Sequence, residues 1–210
     1  MQKIQDSTAI VHQNTQDYLH WFRHSAPYIN AHRNKTFVVM FDGEAIQHEN
    51  FQYIIHDIAL LHSLGIRLVL VYGARPQINA QLHIQQLETP FEQSRRITTR
   101  EALPCVMQAV GAVRMQIEAL LSMGLANSPM FGARIDVVSG NLITAKPYGI
   151  RNGIDFQLTG EVRAVDVDAM TRLLERHNII LLGPVGYSTT GEVFNLLAEE
   201  VATKTAIALK

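Results

Sequence analysis

Three short stretches carry the residues whose types and spacing could do chemistry. They are "MFDGEAI" (40–46), "YGARPQIN" (72–79) and "FNLLAEE" (194–200), with a basic "RRIT" (95–98) between them. Each of the three comes off an apolar run and opens into a helix-like segment. In an α/β protein such joints bring backbone N–H groups and a helix dipole together, and a phosphate is commonly held there. A phosphate cradle ordinarily uses two or three glycines, whereas the middle joint offers Gly73 followed by Ala74 and the bulky Arg75. The stretch therefore reads either as a phosphate site or as one that no longer works. Arg75 and Arg96 have a plainer reading as well, in which each pairs with Asp42, Glu44 or Glu199, because structural ion pairs are common among exposed charges.

The elements that must position these joints are legible in the pattern. "TFVVMF" (36–41) reads as a buried strand. Residues 50–64 place Phe51, Ile54, Ile55, Ile58 and Leu61 on one helical face, with Gly65 as the stop. "RLVLVY" is a second strand and "PQINAQLHIQQL" a second helix, with Pro76 near its first turn. A short extended piece lies around Arg95–Thr98. Residues 99–123 form a long helix with Leu103, Val106, Val110, Val113, Ile117, Leu120 and Leu121 in register, and Cys105 falls on its apolar stripe. "ARIDVVSGNLITAKP" (133–147) reads as two strands joined as a hairpin by "SGN". Further strands are expected over 159–166 and 178–187, and helices over 166–177 and 196–209. Alternating strands and helices predict a three-layer α-β-α sandwich on a mainly parallel sheet, which the inserted hairpin makes mixed.

Ahead of the first strand, Ile10, Val11, Tyr18, Leu19, Phe22 and Tyr28 space out an amphipathic helix over residues 8–31, ending near Pro27. It either folds back on the domain or serves as an arm against another subunit. The expected division is a helical arm over 1–32 and one domain over 33–210. The last helix has no Gly, Asn or Pro stop, so the chain is expected to be cut from a longer protein.

Composition excludes several classes. The 210 residues are 47% hydrophobic and 18% charged, with a net charge of −1, so nothing marks a nucleic-acid surface. One cysteine cannot form an internal disulfide and suits a reducing compartment, hence a cytoplasmic expectation. No apolar run approaches the roughly 20 residues that cross a bilayer, so no membrane partner is expected. His48, His56 and His62 have neither helical zinc-pair spacing nor Cys partners, so no metal site is expected. His56 and His62 read as lying on a solvated helix face.

The order "KTFVVMFDGEAI … LHSLGIRLVLVYGARPQIN … RRIT … NLITAKP … IILLGPVG … FNLLAEEVATKTA" resembles the amino-acid kinase (carbamate kinase-like) fold. Within it, the chain is similar to the N-terminal domain of the bacterial N-acetylglutamate synthase family, from about Ala26 to Lys210. The resemblance implies a further lobe and an acetyl-CoA-dependent acetyltransferase domain beyond these residues, with no cofactor in this chain.

Against the pattern of the related kinases, Met40 stands where a lysine is expected, and Asp42–Gly43 replaces a glycine pair. Gly73–Ala74–Arg75 replaces a three-glycine turn, and the helix entry reads Asn195…Glu199 with Leu197 in place of a second asparagine. A thioether cannot replace an ammonium, and Asp42 repels phosphate. The resemblance thus implies a degenerate phosphate site. It also implies candidate carboxylate contacts at Arg96 and Asn195, and a candidate L-arginine contact at Tyr28, which otherwise reads as a core tyrosine. Homo-oligomerisation through the N-terminal helix is expected on the same grounds. The function implied is a catalytically silent regulatory domain. The alternatives are an active kinase of a small carboxylic acid with a rearranged clamp using Lys35 or Arg75, and a pure oligomerisation scaffold.

Overall fold

The computed structural model describes residues 16, 17, 19–21, 23–124 and 130–210. Ile10, Val11, Tyr18 and Phe22 lie outside them. The chain forms two compact units, residues 1–35 and 36–210.

In the first unit, helix α1 runs over 23–32, straight through Pro27 rather than ending near it. The stop is Asn34, held at φ 64°, with Arg33 N donating to Ile29 O at 2.9 Å and Lys35 N to His32 O at 3.0 Å. Asparagine tolerates this left-handed geometry, which closes a helix. Tyr28 is 71% exposed.

The second unit is built on a four-stranded parallel sheet, ordered β1 (Thr36–Phe41), β2 (Arg67–Tyr72), β10 (Ile179–Leu182), β5 (Val137–Val138). Its central strands are buried on both faces, as continuous apolar runs in parallel sheets are. Along β2, Leu68, Leu70 and Tyr72 enter one core while Val69 and Val71 enter the other. Ile179 and Leu181 of β10 divide from Ile180 and Leu182 in the same way. The first core is closed by α3 (Phe51–Ser63), α4 (Arg75–Ile84) and α5 (Leu103–Leu121), and Cys105 is buried within it. The second is closed by α6 (Val167–Glu175) and α7 (Ala198–Ala208).

A second four-stranded sheet, ordered β12 (Val193–Asn195), β11 (Val185–Tyr187), β6 (Ile143–Pro147), β9 (Gly160–Val165), corrects two expectations. First, 133–147 is not a hairpin. β5 pairs in parallel with β10, while β6 pairs with β9 and β11, so "SGN" carries the chain from one sheet to the other. Second, the strand expected over 178–187 ends at the Gly183–Pro184 turn, as its Gly/Pro signal implies, because proline cannot donate to a ladder, but a further strand, β11, follows the turn and joins the other sheet. The expected single mixed sheet is therefore two sheets. Two small ribbons complete the unit: β3 (Phe91–Glu92) with β4 (Arg95–Arg96), and β7 (Ile150–Arg151) with β8 (Ile154–Asp155).

His56 and His62 are half-buried, His56 beside the exposed Tyr53 and Leu60, and the His62 ring nitrogen Nε2 donates to His177 O at 2.7 Å. No helix among the described residues is long and apolar enough to cross a membrane.

Candidate functional site

Register fixes where the first two joints meet. β1 and β2 run parallel with Met40 beside Val71 and Phe41 beside Tyr72, so Asp42–Gly43 and Gly73–Ala74 emerge side by side. Gly73 N donates to Phe41 O at 2.9 Å, which ties the two ends. The joint after β10 adds Pro184, whose carbonyl accepts from Leu196 N at 2.9 Å and brings the start of α7 alongside. The result is a cleft of about 240 Å³ at the carboxyl ends of the parallel strands, the usual ligand position in open α/β sheets.

All eight sequence-derived residues of this unit border that one cleft: Met40, Asp42, Gly43, Gly73, Ala74, Arg75, Arg96 and Asn195. Tyr28 belongs to the other unit.

Asp42 has a local task that its charge alone did not reveal. It is the N-cap of α2 (Gly43–Gln47), where its carboxylate accepts from Ala45 N at 2.8 Å. This supplies a partner for an otherwise unpaired helical N–H. Gly43 is required by close approach rather than by ligand space. A Cβ there would lie 2.5 Å from Gln77 Oε1 and 2.6 Å from Pro76 Cδ. Gln77 Nε2 donates to Gly43 O at 2.8 Å, while its Oε1 is buried without a partner. At Gly73 a Cβ would come within 3.3 Å of Asp42 Cα and Gly43 N. These glycines pack protein against protein, and the start of α4 fills the space over Gly43.

Arg75 is exposed and Arg96 is buried, 6% accessible. Neither forms the ion pair with Asp42, Glu44 or Glu199 that the plainer reading expected. Among the described residues the ion pairs are Arg95–Glu200, Arg114–Glu118, Lys146–Glu161 and Arg151–Glu161. Arg96 instead donates to two neutral acceptors, Thr89 Oγ1 and Asn79 Oδ1, and lies 4.5 Å over the Phe91 ring. Arg75 approaches the same ring at 5.6 Å. Burial, and secondarily the charge of Arg75, lowers the Arg96 guanidinium to about 10, so it remains charged at neutral pH. The β3–β4 ribbon, turned by Gln93 and Ser94 at φ 51° and 62°, carries both Phe91 and Arg96 to the cleft.

Asn195 is held from behind. Its Nδ2 donates to Thr98 Oγ1 at 2.9 Å, Thr98 N donates to Thr159 Oγ1 at 3.0 Å, and Thr159 Oγ1 donates to Arg96 O. This buried chain ties β12 to the backbone of Arg96. Beside it, Glu200 of α7 receives Arg95 Nη2 at 2.7 Å and Val162 N at 3.0 Å. Sequence reasoning missed Asn79, Thr89 and Phe91, which set the surroundings of Arg96. Asn79 lies on α4 with nothing in its type to tie it to Arg96, and Thr89 and Phe91 sit in an aperiodic stretch with no spacing signal.

Among the described residues no lysine lines the cleft, and its three arginines are matched in number by Asp42, Glu44 and Glu199. It offers no concentrated positive charge for a triphosphate.

Comparison with known proteins accords with this geometry. The model of the "Amino acid kinase family" matches residues 35–210. The chain belongs to the amino acid kinase family.

Within that family, an amino-acid acetyltransferase of Azotobacter vinelandii is 57% identical over 194 residues, and one of Pseudomonas putida is 55% identical over 193. Each alignment covers 92% of this chain and 45% of the relative, so the chain spans under half the length of the curated relatives it matches. The structure of N-acetylglutamate synthase from Neisseria gonorrhoeae, complexed with coenzyme A and L-arginine, superposes with a TM-score of 0.79 at 32% identity. It covers 91% of this chain and 45% of that one. Carbamate kinase from Giardia lamblia, at 12% identity and a TM-score of 0.57, shares the fold alone. The chain is thus an amino-acid-kinase-family domain related to N-acetylglutamate synthase.

Proposed function

We propose that this domain is the regulatory and oligomerising part of an N-acetylglutamate synthase, and that it is silent in phosphoryl transfer. The whole protein would move an acetyl group from acetyl-CoA to the amino nitrogen of glutamate, at the start of arginine synthesis, in the cytoplasm. This domain would hold the oligomer and pass on the effect of L-arginine.

The observation that carries the reading is the joint after β1. Met40 offers no charge, Asp42 is engaged as a helix cap, and Gly43 is covered by Gln77 and Pro76. Phosphoryl transfer is mostly positioning and charge neutralisation, and this joint supplies neither. Similarity to a synthase seen with L-arginine supports the regulatory half of the reading. Pockets for drug-sized ligands run to roughly 300–1,000 Å³, and the cleft is smaller, so acetyl transfer is assigned to no residue here.

Arg96 and Asn195 are the proposed contacts of any carboxylate the cleft still takes. Arg96 keeps N–H donors beyond those given to Thr89 and Asn79, in the planar arrangement that suits a carboxylate.

The test uses the complete protein. Acetyl transfer from acetyl-CoA to glutamate is followed with increasing L-arginine, in the parent, in Tyr28→Ala and in a form lacking residues 1–210. The reading predicts that arginine response weakens in Tyr28→Ala and disappears on deletion, with acetyl transfer retained. An arginine response unchanged by the deletion would overturn it.

A further inference from the structure

The segment "DYLHWFRH" (17–24) places His20 and His24 four residues apart, and residues 16, 17, 19–21 and 23–32 are helical. Four-residue spacing puts both rings on one helix face. Their Nε2 atoms are 3.0 Å apart, with ring centroids at 4.2 Å, and both residues are exposed. Two imidazole nitrogens bound at about 2.0–2.1 Å to one ion, at right angles, stand roughly 3 Å apart. The pair is already spaced as two adjacent ligands of a single metal ion.

We propose that His20 and His24 form a binding site for one divalent transition-metal ion. Each neutral ring gives the lone pair of Nε2, and the ring proton resides on Nδ1, so the hydrogen bond between the two Nε2 atoms is replaced by two coordinate bonds. Among the described residues no third His, Cys, Asp or Glu completes a protein-only cage, so water fills the remaining positions. Imidazole pairs suit copper, nickel and zinc, whereas magnesium and calcium require oxygen donors. An ion held this way closes a ring across one helical turn and stiffens the segment that carries Tyr28. The absence of metal spacing at His48, His56 and His62 does not bear on this pair.

The chain's only tryptophan, Trp21, adjoins His20 and reports on the site directly. Its fluorescence is measured in the 210-residue chain as copper(II), nickel(II) or magnesium chloride is added. Copper is expected to quench it to saturation at one ion per chain, with EDTA restoring the signal. Nickel should need higher concentration, following the order of divalent affinities, and magnesium should do nothing. The double variant H24Q/S25H keeps the histidine count but moves the spacing by one residue; His24 is exposed, and Ser25 is half-buried with its Oγ donating to Trp21 O at 2.9 Å, so the helical circular-dichroism signal is checked to match the parent. It should raise the copper midpoint by about tenfold or more, the size of effect that even outer-sphere changes produce. A midpoint unchanged in H24Q/S25H, or no saturable quenching in the parent, would overturn the proposal.

Discussion

Burial lowers the Arg96 guanidinium to about 10 because its neighbours Thr89, Asn79 and Phe91 are neutral, and Arg75 adds repulsion. A carboxylate bound there meets a charged partner only below that value. Affinity for N-acetylglutamate, read by calorimetry, should stay level through neutral pH and fall as pH rises through about 10. Arg96→Gln should abolish it and remove the donors to half-buried Thr89 and exposed Asn79, costing about 0.5–1.5 kcal/mol in urea denaturation. Gly43→Ala should destabilise by about 1–3 kcal/mol, because its Cβ meets Gln77 and Pro76. Gly111→Ala, in the middle of α5 with open space around its Cβ, should stabilise by roughly 0.5–1 kcal/mol. Equal effects at both glycines would contradict the close-packed joint. At this scale the sequence was readable in residue type but not in task. Asp42 was visible as a misplaced charge, whereas its capping bond to Ala45 depends on where α2 begins. Arg96 was visible as a cation, whereas its neutral surroundings come from Asn79 and Thr89, brought together only by the fold.

The start of α7 is an element held by charge as much as by packing. Glu200 accepts from Arg95 and from Val162 N, both groups largely shielded from water, and so joins α7, β4 and β9 behind Asn195. Glu200→Gln removes the anion and leaves Arg95 with only Gly160 O and the Tyr148 ring, so a loss on the order of 1–3 kcal/mol is expected in urea denaturation. Glu175→Gln, exposed at the end of α6, should stay within about 0.5 kcal/mol. A silent Glu200→Gln would show that the pair does not fasten the helix. Element type was legible because strand runs such as "RLVLVY" and the long stripe of α5 are local signals. Strand pairing was not. "SGN" carries hairpin composition, yet β5 finds its partner in β10, more than forty residues on, and no local pattern encodes that choice.

For the whole molecule, the chain accounts for 45% of its curated relatives' length, and its role is proposed in relation to the rest. If residues 1–32 form an oligomerising arm, deleting them should lower the mass found by light scattering. An unchanged mass would remove that role. The central claim concerns catalysis and can be tested on the chain itself. Phosphorus NMR of the chain with Mg-ATP and N-acetylglutamate should show the ATP signals unchanged against a protein-free control, for Met40, Asp42 and the covered Gly43 leave no clamp for the transferred group. Appearance of ADP with a matching acyl-phosphate signal would contradict the account.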